Sequence, residues 1–371
     1  MRDLKDYLFL AYWLGPFAPK GKSPSLFRKR EATIPCGERF IKTWIYRPQG
    51  KIHGVFLMSP GFHFKGPADP RFERVTSILA SSGLLIMAPF IEDYINIKIL
   101  PRTEKDFRVC FDYLESLPEK PPEIKPAVFS ISFGSLLAIR LAGHKDYRKR
   151  IGGLIIFGGY ADWNETLNYF LTGIMKGERM PQRDHQVRPA VFLNLLEGID
   201  PPPQNRLLLE RTWREFIKAT WPDPLYADLD KYEELAYQMS ENLEGWDKEL
   251  FIQGCCLNSE AEKTGLRALK EMEKKWAYLD PLIEASEVCC PVMVVHGRED
   301  DVIPVNQVDR FGEAFKHNES VSLCITGLVK HSENEGKETF FSRFVILTKE
   351  LFVMLKIIKN IFLLARQKGD K

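Results

Sequence analysis

The chain carries no glycine-rich phosphate loop, no dinucleotide-binding turn and no spaced cluster of metal-ligating residues, so no motif calls for a cofactor or a metal. It also has little net charge: 52 Lys and Arg against 50 Asp and Glu leave +2. Without a field of one sign, a nucleic-acid partner is not expected. Its seven cysteines are odd in number and contain no CxxC pair. The doublets Cys255-Cys256 and Cys289-Cys290 suit neither zinc nor dithiol chemistry, and all seven read as reduced, mostly buried thiols of a reducing, cytoplasmic compartment. No apolar run reaches the roughly 18 residues of a spanning helix. The stretch YLFLAYWLG near the N-terminus is apolar, but MRDLKD before it holds two aspartates and no small-residue cleavage pattern follows, so a secretory signal is not expected. Internal repeats and low-complexity tracts are absent.

What is present is an alternation of short apolar runs with helical patterns across 371 residues, enough for one large domain with insertions or for two domains. EATIPCGERFIKTWIYRP (31–48) alternates like an antiparallel hairpin turning near Gly37. GVFLMSP, LLIMAPF, AVFSI and IGGLIIFGGY then read as strands separated by helices at 71–82, 103–117 and beyond Ser132. That rhythm predicts an α/β fold, with a mostly parallel sheet covered on both faces. Between 161 and 287 it gives way to helical stretches such as RLLLERTWREFIKATW, broken by prolines, and it returns at CPVMVVHG and SVSLCIT. The expected layout is an apolar and basic segment at 1–30, a first half of the core at 31–160, a helical insertion at 161–287 and a second half at 288–371. The last helical pattern, 338–368, is longer than one strand needs and apolar nearly all round. It suits a final helix packed on the N-terminal segment, with a homodimer interface or a peripheral membrane contact as alternatives.

At the join of one strand and its helix stands Ser130-Ile131-Ser132-Phe133-Gly134, which departs from GxSxG only in its first residue. A nucleophilic serine in such a turn needs a base, an acid to orient that base, and donors for the oxyanion. The run Arg298-Glu299-Asp300-Asp301 follows CPVMVVHG, and Gly327-Leu328-Val329-Lys330-His331 follows SVSLCIT, so acid and imidazole candidates lie beyond successive strand ends.

In this ordered set of Ser132, Asp300 and His331, and in the acid segment HGREDDVIP, the chain resembles the α/β-hydrolase superfamily over about 31–338, the insertion apart. The resemblance implies an α/β-hydrolase sheet with a helical cap inserted after the sixth strand. It makes Ser132 the nucleophile, His331 the base and Asp300 rather than Asp301 the acid, with Asp162 as the alternative acid. It implies an oxyanion hole from the backbone amides of Phe62 and Phe133. His63 is expected to line the pocket or support its loop and His296 to be structural; Trp163, Tyr169, Phe170, Phe192 and Trp213 are expected to be mainly core, with one or two lining a pocket. The implied activity is hydrolysis of a small-molecule carboxylic ester or thioester through an acyl-enzyme. The same triad would serve an acyltransferase or a lipid-surface lipase, and a non-catalytic ligand- or partner-binding protein is the alternative of another class.

Overall fold

The structure is a computed structural model that describes residues 2–15, 18–19, 21–175, 177–179, 183–256, 258–327 and 340–369. By its internal contacts the chain divides into two units, one of residues 1–95, 100–161 and 281–371, the other of 96–99 and 162–280.

The first unit is built on an eight-stranded sheet. Its strands are β1 (Phe27–Cys36), β2 (Arg39–Pro48), β3 (Gly54–Ser59), β4 (Leu84–Pro89), β5 (Ala127–Ile131), β6 (Leu154–Phe157), β7 (Val292–Gly297) and β8 (Val321–Thr326). They lie in the order β1-β2-β4-β3-β5-β6-β7-β8. Only β2 runs against its neighbours; every pair from β4 onwards is parallel. β3, β4 and β7 are buried at every residue, the mark of strands covered on both faces. Because side chains alternate across a strand, one set of residues builds two cores. Val55, Leu57, Leu85, Val128 and Val294 join the helices Arg102–Ser116 and Gly134–Gly143 on one face. Phe56, Met58, Ile86, Phe129 and Met293 join Arg2–Leu14, Pro70–Ser81 and Phe340–Ala365 on the other.

The first strand begins at Phe27, four residues before the hairpin read from sequence, because Phe27 and the charged run after it stay in register with β2 as far as Pro48. The final helix packs on the first: Tyr7 meets Phe362 edge-on at 5.3 Å, and Arg366 bonds Asp6 at 3.1 Å. Among the described residues no helix is long and apolar enough to cross a membrane. All seven cysteines are free thiols, and only Cys289 is exposed.

The second unit is helical apart from a two-residue ladder pairing Ile174–Met175 with Glu178–Arg179, which the sequence reading did not anticipate. Its helix Arg206–Thr220 starts at Asn205, whose side chain accepts from the Leu208 amide at 3.1 Å. Leu209, Trp213, Phe216 and Ile217 form its buried stripe. Trp163, Tyr169, Phe170 and Phe192 are buried too. The distant strap 96–99 belongs here for electrostatic reasons. Lys98 pairs with the buried Glu210 at 2.8 Å, and Arg214 bonds the Asn96 carbonyl at 3.2 Å. Burial alone would raise Glu210, yet hydrogen bonds from Lys98, Arg206 and Arg214 hold it down at about 2.

Candidate active site

β5 ends at Ile131 and the helix Gly134–Gly143 starts two residues beyond Ser132, so the chain must reverse direction within Ser132 and Phe133. It does so by placing Ser132 at φ +53°, in the left-handed region that non-glycine residues avoid. The turn is held from several sides. The Ser132 amide donates to the Phe157 carbonyl of β6 at 2.9 Å, and the Ser135 amide donates to the Ser132 carbonyl at 3.0 Å. Ser59, the last residue of β3, donates its hydroxyl to the Gly134 carbonyl at 2.9 Å. Ser130, standing where the motif has glycine, is fully buried and donates its hydroxyl to the Ile155 carbonyl at 3.0 Å. The hydroxyl is therefore satisfied across the sheet, and it costs the fold no orphan polar group.

Two glycines set how closely the loop after β3 approaches this turn. A Cβ on Gly134 would lie 2.5 Å from the Ser59 carbonyl oxygen and 2.7 Å from that of Pro60. A Cβ on Gly61 would lie 3.1 Å from the Ser132 Cβ and 3.7 Å from its Oγ. Gly134→Ala is expected to cost about 1–3 kcal/mol by overpacking against main chain that cannot give way. Gly50, with nothing within 4 Å of its Cβ position, is the control: Gly50→Ala is expected to stay within about 0.5 kcal/mol of the parent. Denaturant unfolding compares them, and equal effects would sink the crowding account.

Phe62 and Phe133, the two residues chosen for their amides, sit side by side, their rings 4.8 Å apart edge to face. Among the described residues neither amide donates a hydrogen bond. Tyr94 and Tyr160, which the sequence reading missed, fix these neighbours. Tyr94 stacks on Phe62 at 4.7 Å and donates its hydroxyl to the Phe133 carbonyl at 3.3 Å; Tyr160 lies 4.8 Å from the Phe133 ring. Their one sequence signal is position, since each follows a strand of the parallel sheet by a few residues. His63 braces the same loop: its Nδ1 accepts from the Lys65 amide at 3.2 Å and its Nε2 lies 3.2 Å from Asp69. Burial pushes this imidazole down to about 4 against the pull of Asp69.

Asp300 follows β7 in a tight turn. Its Oδ1 accepts from the Val302 and Ile303 amides at 3.0 and 2.8 Å, and the carboxylate is buried. Its Oδ2 lies 3.5 Å from Nε2 of the buried His296, which is itself 2.8 Å from the Ile303 carbonyl. His296 thus braces the acid turn. The turn is also tied to the end of β6, since Gln307 Oε1 accepts from the Ala161 amide at 3.0 Å. Asp162 stands at the N-cap of the helix Trp163–Thr172, its side chain accepting from the Glu165 amide at 2.9 Å. His331 lies outside the described residues, five positions beyond the end of β8. Among the described residues no group of three or more His, Cys, Asp or Glu could hold a metal.

No protein-family model matches the chain, and no curated protein sequence matches it. By structure it is similar to an esterase from Pyrococcus furiosus, at 14% identity and TM-score 0.47 over 90% of this chain and 93% of that one. It is similar to Est1E from Butyrivibrio proteoclasticus, at 14% identity and TM-score 0.49 over 90% of this chain and 97% of that one. For an acylaminoacyl peptidase from Pyrococcus horikoshii the values are 14% and 0.49, over 94% of this chain but 43% of that one. The chain has the α/β-hydrolase fold, with Ser132 at the apex of its strand-to-helix elbow.

Proposed function

We propose that the protein is a serine hydrolase that cleaves a carboxylic ester or thioester through an acyl-enzyme. The observation that carries this reading is the left-handed Ser132 beside two main-chain amides, of Phe62 and Phe133, that donate to nothing among the described residues. Oriented donors with no partner in the resting protein can bind charge that develops during reaction. Ser132 Oγ attacks the carbonyl carbon while His331 takes its proton. The carbonyl oxygen becomes the oxyanion held by the two amides. As the bond to the leaving oxygen or sulfur breaks, His331 passes that proton to the departing group. Water, deprotonated by His331, then attacks the acyl-enzyme and releases the acid and Ser132. Asp300 orients the imidazole and offsets its charge. Its carboxylate suits this role because it is buried just beyond β7 with one oxygen fixed by two amides.

A fluorophosphonate probe tests the proposal. Phosphonylation confined to Ser132, located by peptide mass spectrometry and abolished in Ser132→Ala, is expected within minutes at pH 8. Folded protein that stays unlabelled overturns the hydrolase reading.

A further inference from the structure

Among the described residues, the helices Arg2–Leu14, Pro70–Ser81 and Phe340–Ala365 leave space against the sheet. A cavity of about 240 Å³ lies there. Phe129, Ile155 and Met293 line it from the sheet; Leu79, Met354 and Ile358 line it from the helices. Its lining includes Ile131 and Phe157, which both touch the Ser132 turn: one precedes Ser132 and the other accepts its amide. Among its described lining residues only Arg74 and Thr326 carry polar side-chain groups. The Thr326 hydroxyl is committed to Glu350 at 2.6 Å. Arg74 donates to the Trp13 and Lys22 carbonyls at 3.0 and 3.2 Å, both neutral acceptors. Among the described residues no carboxylate lies within ion-pair distance of it.

Walls of this kind do not offer a water its two to four partners. An apolar cavity of about 150 Å³ stays dry and takes up benzene, so by volume this one would hold roughly eight to ten carbons. The guanidinium, short of a counter-charge, favours an anionic head. We propose that this cavity binds an aliphatic carboxylate of that length, its chain among Phe129, Ile155, Met293 and Ile358 and its carboxylate on Arg74. Such an acid is either the product of the hydrolysis proposed above or a free fatty acid taken up as a separate ligand. The first source rests on the hydrolase reading; the site itself does not.

Calorimetric titration of the full chain with acetate, hexanoate, decanoate and hexadecanoate tests it, with thermal unfolding alongside. Decanoate is expected to bind tightest and to raise Tm, with acetate at least 100-fold weaker. Arg74→Gln should weaken decanoate about tenfold relative to decanol. Val75→Phe, which fills the cavity from one wall, should remove both, and Ile357→Phe does so from the other wall should the first fail to fold. The proposal is overturned if decanoate does not bind the unmodified chain, or if folded cavity-filling variants bind it undiminished. Competitive inhibition of p-nitrophenyl acetate hydrolysis by decanoate assigns the ligand to the acyl product; binding without competition assigns it to a separate fatty acid. If no ester is hydrolysed while decanoate still binds, the hydrolase reading falls and the site stands.

Discussion

Ser132→Ala is expected to lower kcat for p-nitrophenyl esters by roughly 10⁴–10⁶-fold, because the hydroxyl it removes is the nucleophile of the proposed hydrolysis. The backbone makes a second forecast at the same position. At φ +53° a side chain costs about 1–2 kcal/mol against the following carbonyl, and alanine keeps that cost. Glycine sheds it while adding roughly 0.5–1 kcal/mol of unfolded-chain entropy. Ser132→Gly should therefore be equally inactive yet as stable as Ser132→Ala, or more stable by up to about 1.5 kcal/mol. Steady-state kinetics and denaturant unfolding on the two variants separate the roles. Full activity in Ser132→Ala would place the chemistry elsewhere, and a Ser132→Gly variant weaker by a full kcal/mol would show that the turn holds no strain.

Asp300→Asn is expected to reduce kcat/KM by about 10³–10⁴-fold with little loss of stability. Asparagine keeps an oxygen for the Val302 and Ile303 amides, so the turn survives. It loses the charge that would stabilise a protonated imidazole and offers that ring the wrong tautomer partner. Asp162→Asn is the matched comparison. At a helix N-cap asparagine serves as well as aspartate, so both stability and turnover should stay close to the parent. Kinetics with the opposite outcome, Asp162→Asn dead and Asp300→Asn active, would transfer the acid's role to Asp162.

The core was legible where one residue type dominated a whole element. GVFLMS, LLIMAP and VMVVHG are apolar over nearly their whole length, as a strand buried on both faces requires, and all three lie inside the parallel part of the sheet. The elbow was legible as a strand meeting a helix at small residues. β1 was read short because FRKR is charged, and an edge strand exposed along that stretch needs no apolar residue to pair. Lys98 gave no hint that 96–99 belongs with 162–280, since its partner Glu210 lies 112 positions away and only the fold joins them. Tyr94 and Tyr160 escaped for a related reason. A tyrosine past a strand end has no periodicity to interpret, and what these two do depends on Phe62 and Phe133 arriving beside them. The Ser130 hydroxyl was illegible for the same reason, since its acceptor lies on the neighbouring strand, 25 residues away in sequence.

The two amides beside Ser132 belong to the main chain, and this gives the site an unusual mutational profile. At positions 62 and 133 only proline removes an N–H, so most replacements there alter ring packing and leave the donor in place. The identities of these residues are free to drift as long as the glycines beside them keep loop and elbow close. An oxyanion hole of the proposed kind would leave its record in small residues at 61 and 134, and hardly any in the residues that supply the donors.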